Sequence, residues 1–127
     1  NSNQYDFILI NFANPDMVGH TGNFQAGIKS VEVTDECVGK IVNLTLSLNG
    51  CVVITADHGN VEEMINVRTG QVDTEHSSFP VPLIIIHREL STAQTLPPGI
   101  LGDVAPTVLN LMQIPKPGTM FGRNLLI

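Results

Sequence analysis

The sequence predicts an α/β fold with a mostly parallel sheet, on three observations. Residues 5–12 (YDFILINF), 51–56 (CVVITA) and 79–86 (FPVPLIII) are apolar runs of strand length, the pattern of strands buried on both faces. A long stretch of helical periodicity separates the first run from the second. Strand-like and helical segments alternate along the chain, as in sheets whose crossovers are helices.

Taken in order, residues 5–12 form the first expected strand, and Ala13, Asn14, Pro15 and Asp16 break it. Residues 23–49 are the longest expected helix, with Phe24, Ile28, Val31, Val38, Ile41, Val42 and Leu48 recurring at spacings of three, four or seven. Gly50 is placed to end it in a left-handed cap. Residues 51–56 are the second strand, and the loop Asp57-His58-Gly59-Asn60 leads to a short helix at residues 61–65. Arg68-Thr69-Gly70-Gln71 marks a hairpin-like excursion within residues 66–73. The third strand spans residues 79–86, with Pro80 and Pro82 near its start. A proline-containing loop follows at residues 91–99. Asp103 then serves as N-cap of a helix over residues 104–112, with Pro106 tolerated in its first turn. The tail to Ile127 is loop with a final strand.

The chain has 127 residues, enough for one domain. Charged residues are 14% of it, against a usual share of about 25%. So little charge implies that part of the surface is covered by something else. The first residue is Asn1 and a strand follows at once, which reads as a chain cut from a longer one. The net charge of −6 argues against nucleic acid or an anionic membrane as partner, and fits a carboxylate-lined cation site. No apolar run approaches the ~18 residues of a membrane span, and no secretory leader heads the chain. Cys37 and Cys51 sit at apolar positions and read as buried thiols of a reducing, cytoplasmic compartment.

The chemistry lies beside the strands. Asp16 and His20 follow the first, Asp57 and His58 follow the second, and Glu75 and His76 precede the third. Loops at the carboxyl ends of strands converge on the ligand crevice in open α/β sheets, which puts Asp16, His20, Asp57 and His58 near one another. Asp oxygen with His nitrogen suits a divalent ion such as Mn²⁺ or Zn²⁺. Asp16, His20, Asp57, His58 and His76 together exceed the needs of one ion and suggest two, a recurrent arrangement in phosphoryl transfer. Three of them have a plainer reading taken singly, Asp16 as a turn residue after Pro15 and His20 and His76 as structural histidines, whereas Asp57-His58 at a strand end is harder to explain as structure. Their common placement at strand ends favours a metal site. His87 reads as structural, and the Ser77 and Ser78 hydroxyls, beside a ligand, are poorly placed for in-line attack.

Four stretches carry a resemblance: residues 14–22 (NPDMVGHTG), residues 55–64 (TADHGNVEEM), His76 with Pro80-Val81-Pro82, and residues 99–107 (GILGDVAPT). Together they closely resemble the C-terminal end of the cofactor-independent phosphoglycerate mutases, a family of the alkaline phosphatase superfamily. Their order and spacing hold over nearly the whole chain. Phe79 is a departure, standing where a more polar residue is expected, and it touches no expected ligand.

The resemblance implies an alkaline phosphatase-like sandwich of which this chain is the C-terminal portion of the metalloenzyme domain. It implies two divalent ions, most often Mn²⁺, with Mg²⁺, Co²⁺ or Zn²⁺ as substitutes. Asp16, His20 and His76 match the ligands of one ion, and Asp57 and His58 match ligands of the other. The nucleophilic serine, a further aspartate, the inserted transferase domain and its substrate-binding residues belong to the N-terminal part, so the fragment alone is expected to be inactive. The implied reaction interconverts 3-phosphoglycerate and 2-phosphoglycerate through a phosphoserine, linking glycolysis and gluconeogenesis. Two rivals stand beside it. One is another superfamily enzyme, a phosphopentomutase or a phosphatase, against which the stretch Met17 to Gly22 argues. The other is a non-catalytic metal-binding or interaction module.

Overall fold

The computed structural model describes residues 4–90 and 94–126. Its elements run α1 (Asn14–Gly19), α2 (Phe24–Ser47), β1 (Val52–Thr55), a 3₁₀ turn (Val61–Glu63), β2 (Leu83–Ile86), a second 3₁₀ turn (Leu101–Asp103) and α3 (Val104–Leu111). The chain divides into two compact units: residues 1–40 with 58–80, and residues 41–57 with 81–127.

In the first unit, residues 5–12 form no strand. Tyr5 and Leu9 are 73% and 83% exposed, and no described segment pairs with this run. An apolar run becomes a strand only when a neighbour takes up its backbone N–H and C=O groups. The break expected at Pro15 is instead the start of α1. Proline is tolerated in a first turn, where its missing N–H has no helical partner anyway, and Asp16 there suits the positive end of the helix. The long helix appears as expected: Asn23 caps α2, its Oδ1 accepting the Ala26 N–H at 3.1 Å. The 3₁₀ turn Val61–Glu63 stands where a longer helix was expected. Met64 is the buried apolar anchor, 3% exposed, with its sulfur over Gly27 of α2. The hairpin-like excursion is present, with Ile65 bridged to Val72 and the Asn66 N–H donating to the Gln71 carbonyl at 2.9 Å.

In the second unit, α2 ends with Asn49 in the left-handed conformation (φ 57°), not Gly50. The Gly50 N–H reaches the Thr45 carbonyl at 2.9 Å and the Asn49 N–H the Leu46 carbonyl at 3.1 Å, the paired bonds of a Schellman motif with asparagine in the usual glycine place. β1 and β2 pair antiparallel, not parallel, with Thr55 opposite Leu83. The chain therefore leaves β1 and enters β2 at the same end, which needs no helical crossover. β2 begins after Pro80 and Pro82, because neither can donate to the ladder. Cys51 is half-buried, not in the core as expected, and burial pushes its thiol up.

Asp103 does not cap α3 with its side chain. Its carboxylate accepts the Ile100 N–H at 2.9 Å and the Arg123 N–H at 2.8 Å, so it closes the turn before the helix and clamps the tail to it. Thr107, fully buried, continues the clamp: its hydroxyl donates to the Asp103 carbonyl at 2.7 Å and accepts the Leu125 N–H at 3.0 Å. The described tail is therefore irregular, held by side chains where a final strand was expected; Ile127 lies outside the described residues, as do the first three residues of the loop expected at 91–99.

The N–H bonds from Ile100 and then Arg123 hold the Asp103 carboxyl below its usual 3.8. A depressed carboxylate contributes stability that is present above its unfolded value and lost as pH falls through its folded value. Asp103→Asn is therefore expected to destabilise the protein at pH 7, and the gap from wild type to shrink below pH 4. Urea unfolding of both proteins at pH 7 and pH 3 checks this; a gap equal at both would contradict it.

Candidate metal centre

The site is built in the first unit from three segments. α1 supplies Asp16, and its C-cap residue is His20, four residues on and so on the same face. The segment after the hairpin supplies His76, and the segment after β1 supplies His58 and Asn60. The Ser77 N–H donates to the Gly59 carbonyl at 2.9 Å, an isolated antiparallel bridge that sets these last two segments side by side.

Three ligand atoms converge. Asp16 Oδ1 lies 3.2 Å from His20 Nε2 and 3.2 Å from His76 Nε2, and the two nitrogens are 3.1 Å apart. His20 Nδ1 is 2.6 Å from the Thr74 carbonyl oxygen, which can only accept. The Nδ1–H is thus committed outward and the Nε2 lone pair is turned toward Asp16 and His76. With His76 also in the tautomer that leaves its Nε2 unprotonated, as coordination requires, the two lone pairs and the carboxylate oxygen would repel one another without a cation among them. Bonds of about 2.0–2.2 Å to nitrogen and oxygen give donor–donor edges of roughly 2.8–3.6 Å between right-angled and tetrahedral geometry. The observed edges fall inside that range, so the three residues fit a divalent cation seated on their triangle.

His58 stacks on His76, ring centroids 3.8 Å apart and planes 23° apart, and so restrains the His76 ring plane. Asp57 belongs to the second unit, where it is exposed just beyond the end of β1. Of the five residues expected from the sequence, the structure brings Asp16, His20 and His76 into one cluster with His58 against it.

Other contributors escaped the sequence reading. Asn60 Nδ2 donates to Asp16 Oδ1 at 3.1 Å. Glu62 accepts the Asn60 N–H at 2.8 Å through one oxygen and the Ser77 hydroxyl through the other. Partial burial pushes the Glu62 carboxyl up, but the bonds from Ser77, its own backbone and Asn60, with His58 nearby, outweigh it and leave it below the usual range. Ser77 is thereby occupied as a donor to Glu62. Asn60 and Glu62 both stand within the quoted stretch of residues 55–64, yet nothing local separates them from ordinary turn residues.

A family model described as the metalloenzyme superfamily matches residues 1–116. The chain belongs to that superfamily. It is 50% identical over 123 residues to the 2,3-bisphosphoglycerate-independent phosphoglycerate mutase of Clostridioides difficile, covering 97% of this chain and 24% of that protein. It is 51% identical over 126 residues to the 2,3-bisphosphoglycerate-independent phosphoglycerate mutase 2 of Methanosarcina barkeri, again over 24% of that protein. Among solved structures, the phosphoglycerate mutase of Leishmania mexicana, determined at low cobalt concentration, superposes with a TM-score of 0.78 at 32% identity over 98% of this chain and 25% of that one. The chain thus spans about a quarter of the length of these superfamily relatives.

Proposed function

We propose that this chain is the metal-ligand-bearing C-terminal portion of the metalloenzyme domain of a 2,3-bisphosphoglycerate-independent phosphoglycerate mutase, interconverting 3-phosphoglycerate and 2-phosphoglycerate. The observation that carries the reading is the convergence of Asp16 Oδ1, His20 Nε2 and His76 Nε2. Asp16, His20 and His76 hold one divalent ion, Mn²⁺ in this reading; Asp57 and His58 contribute to a second, completed from the rest of the protein. Bound there, a divalent cation supplies positive charge against a phosphate and favours the ionised form of a hydroxyl nucleophile.

The residues present divide the work. Asp16 brings a charged oxygen, and the Thr74 carbonyl holds His20 in the tautomer that can coordinate. His58 keeps the His76 ring from turning. With a net charge of −6, the chain repels an anionic phosphoester unless cations or basic residues from the remaining protein offset it. That remainder supplies the nucleophile, the inserted transferase domain and the substrate contacts, and its strands cover the exposed run at residues 5–12. The two free thiols fit a cytoplasmic setting in glycolysis and gluconeogenesis, and no helix among the described residues is long and apolar enough to cross a membrane.

Full-length protein treated with a chelator is expected to lose mutase activity toward 3-phosphoglycerate and to recover it on adding Mn²⁺. Undiminished activity after the metal content has been shown to fall to zero would overturn the reading.

A further inference from the structure

The geometry points to Asn60 as a positioning residue for the metal-ligating carboxylate of Asp16: its amide is no ligand itself but holds Asp16 Oδ1 between the two histidine nitrogens. This rests on the reading of Asp16, His20 and His76 as a cation site.

Asn60 is only 6% exposed, and its Nδ2 lies 3.1 Å from the oxygen that both Nε2 atoms approach. The amide orientation is dictated by chemistry, since the flipped form would set a carbonyl oxygen against a carboxylate. In this orientation Asn60 Oδ1 is buried without a hydrogen-bond partner. An unpaired buried acceptor lowers stability, and an apolar side chain of the same size would fill the space without that penalty. Packing therefore gives no reason for an amide here, whereas donation to Asp16 does.

The surroundings fix Asn60 in place. Its N–H donates to Glu62 Oε2 at 2.8 Å and its carbonyl accepts the Glu63 N–H at 3.0 Å. The other Glu62 oxygen accepts the Ser77 hydroxyl, so one carboxylate ties Asn60 to the neighbour of His76. On the opposite side Gly19 is buried, and a Cβ there would collide with Asn60 Oδ1 and lie 2.7 Å from its Cγ. α1 can thus approach closely enough for Asp16 to meet the amide. The donated hydrogen restrains rotation of the carboxylate and leaves its remaining lone pair for the cation, without adding charge to the site.

The test is a titration of full-length protein with Mn²⁺, reading free aqueous Mn²⁺ by electron paramagnetic resonance. It compares wild type, Asn60→Leu, Asn60→Ser, Asp16→Ala and the double variant Asn60→Leu with Asp16→Ala, and records the melting temperature of each metal-free protein. Outer-shell partners of metal ligands are typically worth about 10–100-fold in affinity. Both Asn60 variants are expected to weaken the Asp16-dependent site by that factor. Whatever the packing change costs the metal-free melting temperature, Asn60→Leu should cost nothing further in Mn²⁺ affinity once Asp16 is gone. Affinity within about threefold of wild type, an equal loss in the Asp16→Ala background, or failure of both variants to fold would each overturn the proposal. If wild type and Asp16→Ala bind Mn²⁺ alike, the cation reading itself falls and takes the Asn60 proposal with it.

Discussion

Asp16→Ala is expected to lower the mutase kcat of the full-length protein at least ~10³-fold, the equivalent of several kcal/mol of lost charge stabilisation. The magnitude follows from where Asp16 stands. It is the one carboxylate in the cluster, 3.2 Å from both histidine nitrogens, so its removal leaves two neutral donors and no charge to hold a cation. The variant should nevertheless fold. Asp16 is half-buried, and its backbone carbonyl, which bonds the His20 N–H at the end of α1, is untouched by the substitution. Steady-state kinetics with 3-phosphoglycerate, alongside circular dichroism, separates the two effects. A folded variant with kcat within tenfold of wild type would remove Asp16 from the site.

Gly122→Ala carries the largest expected effect on stability, roughly 2–3 kcal/mol or more. A Cβ at Gly122 would overlap the carbonyl oxygen of Gly102, lie 2.6 Å from its carbon and 3.0 Å from Pro106 Cγ. These are backbone and ring atoms, which cannot swing aside as a flexible side chain can. The collision pushes the tail away from the turn at Leu101–Asp103, and the adjacent Arg123 N–H then loses Asp103 and the Leu125 N–H loses Thr107. Leu125 is 4% exposed, so its burial is lost with the bonds. Urea denaturation is expected to show a lowered midpoint. A midpoint equal to wild type would mean the tail is not anchored as described.

The parts of this fold that the sequence discloses are those with local signals. The periodicity from Phe24 to Leu48 marks α2, and the β-branched runs around Val52 and Ile84 mark β1 and β2, because burial of one face or of both is written into neighbouring residues. What escapes is decided by partners far along the chain. Residues 5–12 have the composition of a strand and no described segment to pair with. Asp103 looks like a helix cap because it precedes a helix, yet one of its hydrogen-bond partners is Arg123, twenty residues on. Pro15 looks like a breaker and instead opens α1, since a first-turn proline and an interior one differ only by position.

The same division holds at the site. Asp and His recurring beside apolar runs are visible in the sequence, and the structure brings three of them, Asp16, His20 and His76, together across 56 residues. The supporting groups are not legible. Asn60 is an ordinary loop asparagine until the fold brings Asp16, 44 residues away, against its amide. The Thr74 carbonyl has no side-chain signature at all, although it decides which nitrogen of His20 faces Asp16 and His76.

The central claim is that these residues serve a bisphosphoglycerate-independent mutase through bound divalent cations. Its most direct test is an assay of full-length protein with 3-phosphoglycerate and Mn²⁺, without bisphosphoglycerate, following both 2-phosphoglycerate and free inorganic phosphate in wild type and Asp57→Ala. The account predicts 2-phosphoglycerate with negligible free phosphate in wild type, and neither product in the variant. Release of inorganic phosphate without 2-phosphoglycerate would contradict it and make the protein a phosphatase; mutase activity undiminished in Asp57→Ala would contradict the role given to Asp57.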